Sequence, residues 1–360
     1  MKKILYLILI IILLSASSCS IVPQEVHIAS QTAFVMDTIA QVQIFYVDSP
    51  GRTRHSSYMQ LANQAMDIIR YLDGLLNRHT VDSDVWRINN ANGGYVIVSD
   101  YTAKVLTHAI ELKFITQGNF DITIGAVTEL WDFSHSVAPP NQEEIVQALT
   151  TVGSTVHING NTVRLDNPYS QIDLGGIGKG FAADMAANFL KSHGVSAIIN
   201  IGGDVALVGQ RPESGSRPEP EPELELESKP EFESEPEGQP WRIGIQAPFK
   251  QYQTTIGHVD VFEVGIVTSG IYQRHFSYQE NLYHHIIDPA TGRPAITDIV
   301  SVSIIAPSAT MAEGIATAAS IMGYAAAMDM VNGLDNVYAI IVLDNGDIIY
   351  TPGVDFTKTP

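Results

Sequence analysis

A mixed fold of strands and helices, α+β in class, is what the sequence predicts, and three observations predict it. Strand-like and helix-like segments alternate from Thr32 to Tyr350. Hydrophobic residues make up 45% of the 360 positions, enough for a sizeable core in one large domain or two closely packed ones. Glycine-rich breaks separate the segments at Gly175–Gly180 and Gly202–Gly203. The formal charge of −19 argues against nucleic acid as a partner, because a phosphate-neutralising surface needs clustered Lys and Arg.

Residues 1–18 carry two lysines, an apolar run and small residues, the pattern of an export signal, and the run is too short to span a membrane comfortably. Cys19 is the only cysteine, which excludes a disulfide, and it stands where the small residues end, resembling a bacterial lipobox cysteine. The expectation is a mature chain lipid-anchored at Cys19 on the extracytoplasmic face of the cell envelope, tethered through residues 19–31 to a body spanning 32–356.

Thr32 to Phe45 reads as the first strand, with Met36 and Asp37 at its opening. Ser57 to Asn77 repeats apolar residues at Leu61, Ala65, Ile68, Ile69, Leu72, Leu75 and Leu76, a helix with one buried face. His79 follows in a polar loop. A second helix, Tyr101 to Gln117, stops at Gly118, before Phe120, Asp121 and Trp131, an aromatic and carboxylate group that can cradle a flat heterocycle or simply pack in the core. A short helix at Asn141–Leu149 and strands near 154–158 and 162–165 lead to the densest stretch.

In QIDLGGIGKGFAAD, Gln171 to Asp184, a short strand ends in Asp173, turns through four glycines and Lys179, and enters a helix over Phe181–Ser192. Uncovered backbone N–H groups and a helix N-terminus make this an anion site or, equally, a tight strand-to-helix turn. It fits neither a Walker loop, since Asp173 and Gly180 stand where Gly and Ser or Thr are needed, nor a dinucleotide GxGxxG, since Phe181 replaces the last glycine.

Ala197 to Gly209 reads as two strands broken at Gly202-Gly203-Asp204. Residues 211–240 then hold ten glutamates, seven prolines and three basic residues, contributing −7 of the net charge, a disordered insertion that acts as a spacer. Strands resume at Trp241–Gln246 and Val259–Thr268, with a polar turn at Thr268-Ser269-Gly270. In YHHIIDPATGRP, His284 and His285 point to opposite faces of a strand, so one of them, with Asp288, can move a proton or orient a phosphate. Without HExxH spacing, zinc is not expected. Ser308 to Met322 reads as a closely packed helix on which Glu313 and Thr317 share a face, two hard oxygen ligands suited to magnesium, although such a threonine often bonds its own backbone. Strands at Val337–Leu343 and Asp347–Tyr350 finish the sheet.

Taken together, Met36-Asp37-Thr38, Gly118 through Asp121, Asp173 through Asp184, Asn200 through Asp204, Thr268-Ser269-Gly270, His285 through Pro294 and Ala312 through Thr317 resemble, in order, the FAD:protein FMN transferase (ApbE) family. That resemblance implies a single mixed α/β body with an FAD cleft. Met36, His79, Asn119, Phe120, Asp121, Asp173, Lys179 and Ile287 would line the FAD site. Mg²⁺ would bind the carbonyl of Gly176 and the side chains of Glu313 and Thr317. The implied reaction is attack by a threonine hydroxyl of a recipient protein on the FMN-side phosphorus of FAD, releasing AMP. His285 is the candidate base and Asp288 its helper. The implied recipients are flavin-carrying subunits of membrane redox complexes or secreted FMN-binding domains. Three positions depart from the family pattern: Glu313 where Asp is usual, Asp37 where Gly is usual, and His79 where Tyr or Trp is common. They raise two rival readings, hydrolysis of FAD to FMN and AMP, and FAD binding without catalysis.

Overall fold

The computed structural model describes residues 25–48, 54–131, 133, 138–213, 238–248 and 254–359. The expected export signal and Cys19, and all but the ends of the acidic insertion, lie outside the described residues.

The chain opens with a hairpin, β1 (Val26–Val35) and β2 (Thr38–Val47), followed by α1 (His55–Leu76), α2 (Asp84–Asn89), β3 (Val96–Ile97), α3 (Asp100–Ile115), α4 (Gly125–Thr128) and α5 (Gln142–Leu149). The hairpin β4 (Val156–Asn159) and β5 (Thr162–Leu165) leads to α6 (Gly178–Ser192), β6 (Ser196–Ile201) and β7 (Asp204–Val208). Next come β8 (Trp241–Gln246), β9 (Thr255–Val261), β10 (Gly265–Gly270), β11 (His275–Tyr278), β12 (Asn281–His284), β13 (Ile287–Asp288) and β14 (Arg293–Pro294). The chain closes with β15 (Ile299–Ala306), α7 (Ala309–Met322), α8 (Tyr324–Asn332), β16 (Tyr338–Leu343), β17 (Ile348–Tyr350) and β18 (Phe356–Lys358).

The frame is an eight-stranded antiparallel sheet in the order β1-β2-β6-β7-β10-β15-β16-β17. Helices α1, α6 and α7 cover one face, where the main core gathers Leu61, Ile69, Phe181, Ile199, Ile304 and Ile315. A small sheet, β18-β9-β8, covers part of the other around Trp241. Covering on both sides explains why all five residues of β7 are buried: Ala206 and Val208 face the helices, while Val205 and Leu207 face the small sheet. Caps agree with the local sequence. Ser83, Ser99 and Ser308 accept N–H groups at the starts of α2, α3 and α7, and Asn141 with Glu144 forms a capping box on α5.

Several expectations about local structure are corrected. Thr32–Phe45 is not one strand: Met36 and Asp37 form a two-residue turn with φ of 54° and 56°, pairing Val35 with Thr38, and β1 begins at Val26, inside the expected tether. Gln171 makes only an isolated bridge to Ile124, not a strand. Val259–Thr268 is split between β9 and β10, and Thr268-Ser269-Gly270 continues β10 against β15 rather than turning. Residues 356–358, beyond the last expected strand, add an edge to β9.

Candidate functional site

A cleft of about 1010 Å³ opens where the β1–β2 turn, the end of α1, the start of α6 and the segment 267–287 converge. The Met36 N–H donates to Asp73 Oδ2 at 3.3 Å, tying the turn to α1. On the opposite wall Phe120 is buried, with its N–H donated to Thr116 Oγ1. Gly176 sits between two elements of the site. A Cβ there would lie 3.2 Å from the Phe120 ring and 3.2 Å from Thr317 Oγ1, so a bare backbone lets the turn touch α7.

The chemistry concentrates around Lys179, in the first turn of α6. Its Nζ is 3.0 Å from Asp204 Oδ2 and contacts Glu313 Oε1, with the two carboxylates only 4% and 3% exposed. Glu313 Oε2 also accepts the Gly180 N–H at 2.8 Å. Burial raises the Glu313 carboxyl, Lys179 opposes that, and Asp204 adds to it. Burial also works against the charge on Lys179, but Asp204 and Glu313 outweigh it and raise the ammonium well above its ordinary value. One cation thus stands between two buried carboxylates, one of which, Glu313, is pushed up to about 8. The start of α6 is therefore not a bare anion site: a carboxylate of its own chain already occupies one of its donors.

His285 lines the cleft, whereas His284 is buried away from it with Nε2 2.9 Å from the Ala295 carbonyl. The two histidines do face opposite ways. His285 Nδ1 lies 3.3 Å from the Arg274 carbonyl, which assigns the proton to Nδ1 and leaves Nε2 as an acceptor. Burial, with nearby Arg274 and His284, pushes His285 down to about 3, so the ring is neutral.

All the expected FAD-lining residues, Met36, His79, Asn119, Phe120, Asp121, Asp173, Lys179 and Ile287, border this one cleft, together with Gly176, Glu313 and Thr317. Besides Lys179, the carboxylates of Asp121 and Asp173 are engaged internally. Asp121 is held by Thr123 and, at 2.7 Å, by Lys113. Asp173 accepts from Thr128 Oγ1 at 2.6 Å, the Gly175 N–H at 2.8 Å and Arg78 at 3.2 Å; burial opposes its charge, but these partners hold it below the usual carboxylate range. Asp288 is not brought to the cleft; its carboxylate accepts from the Ala290 N–H and the Thr291 hydroxyl and braces its own turn. Trp131 borders the cleft and donates its indole N–H to the Gly292 carbonyl.

Sequence reasoning missed Arg78 and did not single out Asp204 as a site residue. Arg78, 10% exposed, binds Gly125 O, Thr128, Gln171, Glu129 and Asp173, joining the end of α1 to the glycine turn. A signal existed in its place directly before His79, but its partners lie 47 to 95 residues away.

Residues 36–341 match the ApbE family. The chain belongs to the ApbE family. Two ApbE relatives named FAD:protein FMN transferase are each 28% identical to it. The protein from Vibrio cholerae aligns over 88% of this chain and 87% of its own length, and that from Treponema pallidum over 96% and 93%. The ApbE protein of Thermotoga maritima superposes with a TM-score of 0.74 at 27% identity, covering 91% of this chain and 97% of that one. The flavin transferase ApbE from Vibrio cholerae does so at 0.71 and 26%, covering 92% and 98%. The ApbE fold is thus the single mixed body expected.

Proposed function

We propose that this chain is an FAD:protein FMN transferase, moving FMN from FAD to a threonine hydroxyl of a recipient flavoprotein and releasing AMP. The observation that carries the reading is the meeting, in one cleft of an ApbE-family chain, of a histidine held neutral with an oxygen-rich corner at a helix N-terminus. The recipient's oxygen forms a bond to the FMN-side phosphorus, and the bond from that phosphorus to the bridging oxygen breaks. The electron pair leaves with AMP, and the hydroxyl proton passes to His285 Nε2.

The donor set suits Mg²⁺. Gly176, Glu313 and Thr317 supply hard oxygens, and Asp204, paired with Lys179, adds a further carboxylate beside them. The ion, when bound, neutralises charge on the phosphates. The chain's own groups do the rest: Lys179 shifts from Glu313 toward the substrate anion, Asp204 keeps it charged, and the Gly175–Gly176 backbone lets the pyrophosphate approach α6 closely. Asp173 and Arg78 keep that turn in shape. The chain acts at the extracytoplasmic face of the envelope, anchored through Cys19; replacing Cys19 by Ser should release it from membranes.

The test is mass spectrometry of a threonine-bearing FMN-acceptor domain incubated with the protein, FAD and Mg²⁺, with AMP and FMN quantified in parallel. An acceptor mass gain matching FMN, lost with EDTA or Thr317→Ala, supports the transferase. Free FMN and AMP without labelling would make it a hydrolase, and bound, unchanged FAD would make it a carrier.

A further inference from the structure

Asp184 lies on α6 about one turn beyond Gly180, yet its carboxylate belongs to α7. Oδ1 accepts the Ala309 N–H at 2.9 Å, and Oδ2 accepts the Thr310 N–H at 2.8 Å together with the Thr310 hydroxyl. The next two N–H groups of α7 are taken by Ser308, Met311 by its hydroxyl and Ala312 by its carbonyl, so the helix start is fully satisfied. The exchange is mutual, because Glu313 of α7 accepts the Gly180 N–H at the start of α6. Each helix caps the other. The crossing is close: a Cβ on Gly180 would lie 2.3 Å from Ala309 O, and one on Gly265 would lie 2.1 Å from Ala309 N.

We propose that Asp184 is a positioning residue for the metal-facing side of the cleft: by clamping the first turn of α7 it sets where Glu313 and Thr317 stand against Gly176 and Lys179. The inference rests on the transferase reading for what that side does. Seven residues of helix separate Thr310 from Thr317, about 10 Å at a rise of about 1.5 Å per residue, so a pivot of about 10° at the clamp moves Thr317 by about 2 Å. That exceeds the tolerance of an oxygen ligand. Among the described residues, Asp184 is the hydrogen-bond acceptor of the first two N–H groups of α7. A cavity of about 110 Å³ borders Asp184 and Ser308, so water can reach those groups when the carboxylate is removed, which favours a folded variant.

The test compares Asp184→Ala with Leu190→Ala, a core cavity on the same helix with no polar tie to α7. Two quantities are read: the shift in melting temperature that Mg²⁺ gives the FAD-free protein, and, below each variant's melting range, the Mg²⁺ concentration for half-maximal transfer. Asp184→Ala should lose most of the Mg²⁺-induced shift and need at least about tenfold more Mg²⁺, with kcat lowered more than KM for the acceptor. Leu190→Ala should keep the wild-type shift and Mg²⁺ requirement despite its lower stability. Thr310→Val, which removes one of the three bonds, should move the same way by a smaller factor and serves if Asp184→Ala does not fold. Wild-type Mg²⁺ behaviour in the Asp184 and Thr310 variants, or an equal loss in Leu190→Ala, overturns the inference. Failure of the wild type to transfer FMN would overturn the transferase reading alone, since the Mg²⁺ shift still reports on the clamp.

Discussion

Replacing Lys179 by Met probes the charge balance of the cleft most directly. The substitution leaves Asp204 and Glu313, both buried, without their shared cation. Breaking a buried pair in this way costs about 3–5 kcal/mol. The folded protein can limit the loss by protonating Glu313, which burial already raises. Burial already pushes the Glu313 carboxyl up to about 8 in the wild type, so at pH about 6.5 it is protonated in both proteins, and only at higher pH does the wild type hold an ionised carboxylate against a cation that the variant lacks. The sign then follows. With the folded-state carboxyl raised above its unfolded value, the folded state of either protein binds more protons and loses stability as pH rises, and the variant, in which Lys179 no longer opposes the rise, goes on losing it above pH about 8. The wild-type-minus-variant gap in urea unfolding, without Mg²⁺, should therefore be about 1–2 kcal/mol larger at pH about 9 than at pH about 6.5. Added Mg²⁺ should narrow it at the higher pH. A gap that is the same at both pH values, or no gap, would refute the reasoning.

His285 should show no imidazole titration between pH about 5 and 8 in the FAD-free protein, as burial and Arg274 keep it neutral; NMR of histidine-labelled protein, with the signal assigned through His285→Gln, checks this. The same substitution should lower FMN transfer by about 10²–10⁴-fold, with FAD affinity changed only a few-fold in a fluorescence titration. Arg78→Met should destabilise by about 3–5 kcal/mol, because Asp173 loses its buried cation. Asp173 has a lowered folded-state value, so its stabilisation holds above the ordinary carboxylate range and is lost as pH falls through the folded value; the acid-unfolding midpoint of the variant should therefore move to higher pH. Arg211 and Gln239 are hydrogen-bonded to each other at 3.0 Å, so joining residues 213 and 238 through a short Gly-Ser turn should leave FAD binding and melting temperature unchanged.

The periodic elements were legible because their signal is local. The buried face of α1 follows its apolar spacing, and the Asn141 and Ser308 caps sit where the sequence puts a cap residue before a helix. The Met36-Asp37 turn was not legible, since Met36 is not a usual carrier of positive φ and strand-forming residues flank the pair on both sides. Thr268-Ser269-Gly270 has the composition of a turn but continues a central strand. There Thr268 Oγ1 meets Ser303 Oγ at 2.7 Å, a partner that only the register with β15 supplies. The cleft residues could be collected from their motifs, but not their couplings. The partners of Lys179 at 204 and 313, and of Arg78 at 173, are set by which strands and helices become neighbours. Helical spacing alone paired Glu313 with Thr317 and left Lys179 free.

The mutual capping of α6 and α7 also orders events during synthesis. Asp184 and the backbone it clamps are 125 residues apart, and Lys179 waits 134 residues for Glu313. A chain emerging from its N-terminus exposes the glycine turn early, while the carboxylate and hydroxyl that face it arrive more than 130 residues later. Any product cut short before residue 317 carries the turn without its counterpart. Competence thus arrives in one late step, so a half-made chain has no means of handling the substrate.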